Sequence, residues 1–92
     1  MKKIFFGLIF GLSLLVGQTL VVDQNYYNNG GVNCLGTSTN TYTTIQSAIN
    51  NAQYGNTIIK VCPGVYNESI IWNKPNISLI GTSGNRDDVL IT

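Results

Sequence analysis

The chain contains no histidine, and its one methionine is the initiator. Imidazole bases and His-ligated zinc are therefore excluded, and a copper site built on imidazole or thioether has no donors. Charge is scarce as well. Five Lys and Arg face four Asp and Glu in 92 residues, and no charged side chain occurs between positions 24 and 59. With no basic patch, the composition argues against a nucleic-acid partner. A neutral surface this rich in Asn and Thr can face sugars or water, and composition does not choose between them. Cysteine is limited to Cys34 and Cys62. One pair is too few for a four-ligand zinc site, but it fits a single disulfide in an oxidising compartment. Closing the loop from Cys34 to Cys62 is worth about 3–4 kcal/mol in the chain-entropy model. That is a large contribution for a core this small.

What is present begins with an address. MKKIFFGLIFGLSLLVGQTL carries two lysines, an apolar run over 4–16, then small and polar residues. That order is the n-region and h-region of a secretory signal, which we place over 1–19. Cleavage after Gly17 or Thr19 suits the small-residue rule, although neither is a good A-x-A site. The alternative is an uncleaved membrane anchor, since reading on to Val22 approaches the roughly 20 residues a span requires. Either way the remaining residues are exported, to the periplasm, the cell surface or the medium, and a membrane is reached only through the uncleaved signal.

The exported part divides into an entry strand and Asn/Gly/Thr-rich loop over 20–42 and a patterned region over 43–92. Residues 20–23, LVVD, read as a strand, and the loop that follows is built from residues that supply turns. A loop of that length is usually functional or disordered; here the proposed disulfide pins its middle to a later strand. TTIQSAINNAQYG, 43–55, predicts a helix: Ile45, Ala48, Ile49 and Ala52 form one apolar stripe, Thr43 with Gln46 makes a capping box, and Gly55 sits at the C-terminal cap. Short strands are expected over 57–62, 69–72, 76–81 and 89–92, separated by turns at Pro63-Gly64 and Lys74-Pro75-Asn76 and by TSGNRDD. An offset of 20 relates Ile59 to Leu79, Gly64 to Gly84, Glu68 to Asp88 and Ile71 to Ile91, which points toward a solenoid. The same spacing also suits a small antiparallel sandwich.

The run TIQSAINNAQYGNTIIKVCPGVYNESIIWNKPNISLIG resembles the entry to right-handed parallel β-helix proteins of the pectin-lyase-like superfamily. Those open on T-I-Q-x-A-I-x-x-A-x-x-G-D-T-I-x-V-x-P-G-x-Y-x-E, followed by an apolar strand, a Lys-Pro turn and L-x-L-x-G. The match is most similar to the secreted NosD-type repeat proteins, in which a cysteine also precedes Pro-Gly; pectinesterases open in a similar way. Asn56 replaces the usual Asp, and TIIKV has one residue more than T-I-x-V, which suggests a bulge. The resemblance implies a mainly β fold: a capping helix plus one to two coils of a right-handed parallel β-helix, with further coils beyond Thr92. It implies that the helix plugs the solenoid's open end, that Pro63 and Gly64 turn the first corner, that Tyr66 packs it, and that Cys62 holds the entry loop.

The exported acids are Asp23, Glu68, Asp87 and Asp88. Paired carboxylates can do acid–base work on sugars, but neighbours such as Asp87 and Asp88 point apart in an extended chain and here lie in a turn. The resemblance implies catalytic Asp, Arg or Lys several coils further on, and none of those motifs is present. We therefore expect no catalytic, cofactor or metal residues. Asn67-Glu68-Ser69 and Asn76-Ile77-Ser78 are N-glycosylation sequons, which makes Asn67 and Asn76 candidate modification sites. Trp72 can stack on a sugar, but at the end of an apolar strand it is expected in the core. The functional expectation is an exported, non-catalytic capping segment serving as a surface scaffold or carbohydrate-contacting module, with polysaccharide or further β-helix coils as partners. The alternatives are the N-terminal part of a pectinesterase- or pectate-lyase-like enzyme, or a small membrane-anchored protein.

Overall fold

A computed structural model describes residues 17–53, 56–85 and 88–92. Residues 1–16 of the signal expected over 1–19, the Gly55 cap and Asp87 lie outside them, while Gln18 and Thr19 at its end fall in the first strand. In chain order the elements are β1 (Gln18–Val22), β2 (Thr41–Tyr42), helix α1 (Ile45–Asn51), β3 (Thr57–Val61), β4 (Gly64–Tyr66), β5 (Ile77–Gly81) and β6 (Val89–Ile91). Strands β2-β1-β3-β5 form one sheet in that order, β4-β6 form a second, and every pairing is parallel.

Period-2 patterning sets the register. In β3, Thr57, Ile59 and Val61 are buried while Ile58 and Lys60 face out, as a strand with one covered face requires. Leu20 lies level with Ile59 and then Leu79, and Val22 level with Val61 and then Gly81. The β1–β3–β5 ladder runs through all five positions of β3. TIIKV therefore fits without the suggested bulge. Across this inner face lies α1, whose Ile45, Ala48 and Ile49 are fully buried with Leu20, Val22, Ala52, Ile59, Val61 and Tyr66. Each fully buried aliphatic side chain contributes about 1.5–3 kcal/mol. Toward β5 and β6 the cover thins, and Ile77, Leu79 and Val89 are half-buried.

The architecture is a mixed α/β fold, parallel sheets plus one helix, and corrects the parallel β-helix that the resemblance implies. The repeat read from the sequence requires successive strands to stack at its one offset. The offset of 20 holds from β3 to β5, where Ile59 pairs with Leu79, but it fails at the next sheet. There Gly64 pairs with Val89 and Tyr66 with Ile91, not with positions 20 residues on.

The strand expected over 69–72 is not formed either. Its polar groups are taken up by the helix instead: Ile71 N–H donates to Gln46 Oε1 at 2.7 Å, and Gln46 Nε2 donates to the Ile71 carbonyl at 3.2 Å. A backbone whose donor and acceptor are already paired with a side-chain amide gains little from a ladder. Consequently Trp72, expected in the core, is 49% exposed.

The helix start also differs from expectation. Thr44, not Thr43, is the N-cap, with its hydroxyl accepting from Ser47 N–H at 3.1 Å. Gln46, the expected capping-box partner, faces residue 71 instead.

Candidate functional site

The loop after β1 closes on itself through short-range bonds. Asn25 N–H donates to Asp23 Oδ1 at 2.9 Å, making an Asx turn, and Tyr26 N–H donates to the Asp23 carbonyl at 3.1 Å. One further turn brings Asn29 N–H onto the Asn25 carbonyl at 2.9 Å and Gly31 N–H onto that of Tyr26 at 2.9 Å. Gly30 and Gly31 sit at φ 71° and 77°, a left-handed pair that side-chain-bearing residues rarely adopt. Asn33 then holds the second half. Its Nδ2 donates to Thr37 Oγ1 (2.9 Å) and Thr41 Oγ1 (2.8 Å), and its Oδ1 accepts from Leu35 and Thr37 N–H (2.9 and 3.2 Å). It is buried with all these bonds made, so a stretch with no apolar core of its own still has a fixed shape.

The loop is fastened to the sheet by the Cys34–Cys62 disulfide, as the cysteine count predicts, with Cα atoms 5.9 Å apart. Cys62 follows β3 directly and donates its N–H to the Val22 carbonyl at 2.8 Å. Tyr66 lies beneath this corner, 2% exposed, with its hydroxyl donating to the Cys62 carbonyl at 2.8 Å. Burial pushes its phenol up to about 12; the charges of Asp23 and Glu68 add to this, and a hydrogen bond from the Gln24 backbone opposes it. Gly64 has φ 156°, and a Cβ there would collide with the Gln24 amide. Pro63 and Gly64 thus turn the chain and Tyr66 packs the corner, with Gly64 to Tyr66 forming β4 rather than a plain turn.

Between the loop and this corner lies a groove of about 380 Å³, lined by Asp23, Asn25, Asn28, Asn29, Cys34, Cys62 and Pro63. Asp23 is 6% exposed. Its Oδ1 is held by the Asn25 N–H, while its other carboxylate oxygen has no protein partner among the described residues and opens onto the groove. Asn29 Nδ2 donates to the Val32 carbonyl at 3.1 Å. Because a carbonyl only accepts, that bond fixes the amide's orientation and leaves Asn29 Oδ1 available. Asp23, Cys34 and Cys62 could place one ligand atom each within 4.8 Å of one another, but the bridge removes both thiolates.

The remaining candidate residues lie elsewhere. Glu68 is a structural acid: Oε2 accepts from Ile45 N–H at 2.8 Å and Oε1 from Gln46 N–H at 2.9 Å. Asp88 lies in a turn before β6, its N–H donating to the Asn85 carbonyl at 3.0 Å. The sequon asparagines Asn67 and Asn76 are exposed, Asn67 Oδ1 accepting from the Thr92 hydroxyl and Asn76 adopting φ 60°. Sequence reasoning did not anticipate the roles of Asn33, Glu68 or Lys74. Lys74 Nζ donates to the carbonyls of Asn50 and Ala52 (2.8 and 3.0 Å), closing the helix's C-terminal end. The available signal was charge placement, a lone acid and a lone base six positions apart in the segment after the Pro-Gly turn.

Among the described residues no helix is long and apolar enough to cross a membrane. No family profile matches the chain, and neither the curated proteins nor the solved structures contain a match.

Proposed function

We propose that this is an exported, non-catalytic domain whose groove beside the Cys34–Cys62 bridge contacts carbohydrate. The observation that carries the reading is the groove itself. It gathers one carboxylate and three carboxamides on a loop with a fixed shape, and the same loop carries Tyr27, which is 78% exposed. Carboxamides and a carboxylate supply the donors and acceptors that sugar hydroxyls need, and an aromatic face supplies stacking area. Export is supported by the disulfide, which suits an oxidising compartment, and by the lysine-led apolar run at the start of the chain. A hydrolytic role is disfavoured by how the acids are used: Glu68 is occupied by the helix and Asp23 is half-occupied by its turn.

The test is calorimetric titration of the disulfide-bonded protein with a panel of neutral and acidic oligosaccharides. Saturable binding that weakens on Tyr27→Ala and Asn28→Ala, with no turnover of the sugar, is the expected result. Absence of binding across the panel refutes the carbohydrate reading. Turnover that is lost in Asp23→Asn refutes the non-catalytic one.

A further inference from the structure

We infer that the same groove is a calcium site, with Asp23 as its charged ligand and Asn25, Asn28 and Asn29 as its neutral oxygen donors. The inference rests on reading the groove as a ligand site but not on the identity of any sugar. Asp23 is the central observation. A carboxylate only 6% exposed, with one oxygen held by a backbone N–H and the other aimed into a cavity, is an anion that the fold has built in and left half-paired. No Lys or Arg is among the residues that line the groove. The oxygen without a protein partner is open to water rather than buried, so a cation entering the groove ligates it directly in place of hydration.

Donor chemistry selects the ion. The groove offers carboxylate and carboxamide oxygens, with no imidazole in the chain and both sulfurs sealed in the bridge. Zinc and copper are disfavoured by that set, whereas hard cations suit it. Between the hard cations, Ca²⁺ accepts six to eight oxygens in flexible geometry, mixing carboxylate, amide carbonyl and water, while Mg²⁺ demands a tight octahedron. A groove of about 380 Å³ has room for the waters needed to complete the shell. Asn29 is pre-set for the task, since its amide nitrogen is tied to Val32 and its oxygen is left over. With a single formal charge among the ligands, affinity belongs at the weak end, about 0.1–1 mM, the range of extracellular calcium modules.

The assay is terbium luminescence on the disulfide-bonded protein without glycan, since Tyr26 and Tyr27 on the same loop can sensitise a lanthanide held there. A saturable signal displaced by Ca²⁺ more readily than by Mg²⁺ is expected. Asp23→Asn keeps an acceptor for the Asn25 N–H, so the turn persists, but affinity should fall about tenfold or more with the charge removed. Asn28→Asp, at an exposed position, adds a second charge and should tighten binding by a similar factor. An unsaturable signal, equal displacement by Mg²⁺, or affinities unmoved in both variants overturns the site. If the calcium site is overturned in this way, saturable glycan binding in the presence of a chelator still leaves the carbohydrate reading standing.

Discussion

Glu68 lies 23 positions from the start of the helix it caps, and that separation makes it a sharp test of the fold. The first N–H groups of a helix have no partner within it. In α1 those of Ile45 and Gln46 donate to the two oxygens of Glu68 and that of Ser47 to the Thr44 hydroxyl, and the helix's own ladder starts with Ala48 N–H on the Thr44 carbonyl at 3.3 Å. Glu68→Ala removes two of these three capping acceptors at once. Hydrogen bonds to a charged group contribute about 1.5–3 kcal/mol each when buried, and a negative charge at a helix start adds about 0.3–1. Water can reach part of this half-buried site and replace some of the loss. A cost of about 2–3 kcal/mol is therefore expected, read as a lower urea midpoint at unchanged slope. Glu68→Gln keeps one acceptor oxygen but turns an NH₂ toward the other N–H, so it should cost about 1–2 kcal/mol. Raising the salt should not rescue either variant fully, because screening weakens the dipole contribution more than a direct hydrogen bond. A loss below about 0.5 kcal/mol for Glu68→Ala would refute the tertiary cap and free this acid for another role.

Two further perturbations test the core and the corner. Ile49 is fully buried against β1 and β3, so Ile49→Asp should cost several kcal/mol by chemical denaturation, whereas Gln53→Asp, at an exposed position, should be nearly silent; equal effects would mean that α1 does not cover the sheet. Tyr66 has its phenol raised from 10.0 to about 12 in the folded state. The native state therefore holds that proton more tightly than the unfolded chain. Its stability contribution is complete below pH 10 and is lost as pH rises through 12, amounting to about 2 kcal/mol by then. The stability advantage of the unmutated protein over Tyr66→Phe should shrink by that amount across the window, and a constant difference would contradict the buried phenol.

Local signals carried much of the fold and little of the site. Strands β1, β3, β5 and β6 fall within a residue or two of the runs that alternation marks, and the stripe Ile45, Ala48, Ile49 and Ala52 is the buried stripe of α1. Propensity misled at residues 69–72. SIIW is as β-prone as any run in the chain, yet Gln46 occupies the backbone of Ile71, and no local rule reports a partner 25 positions away. Strands β2 and β4 were missed for the opposite reason. Two or three residues beside an Asn-rich loop or after Pro-Gly look like turn, and they become strand only because β1 and β6 lie alongside. The disulfide followed from counting cysteines. The groove did not follow from anything local, since it needs the Asx turn at Asp23, the Asn33 hub and the bridge to be in place together.

That dependence bears on how the groove would respond to a ligand. Asp23 follows Val22, whose side chain is fully buried and whose carbonyl receives the Cys62 N–H. Cys62 in turn carries the bridge to the opposite wall and gives its carbonyl to Tyr66, a core residue. One wall of the groove is therefore an extension of the sheet, while the other, bearing Asn25, Asn28 and Asn29, is a turn held at Asp23, by Tyr26 to the Ser38 carbonyl at 3.1 Å, and by the bridge at Cys34. A ligand that spans both walls closes a short link between core and loop, so binding energy would appear as global stability rather than as local ordering. Reducing the bridge should uncouple the two. The same ligand would then protect the loop's amides from exchange only locally, and its effect on the unfolding midpoint should fall well below that seen with the bridge intact. If the midpoint shift survives reduction undiminished, the loop is held by its internal hydrogen bonds alone, and the disulfide has no part in shaping the site.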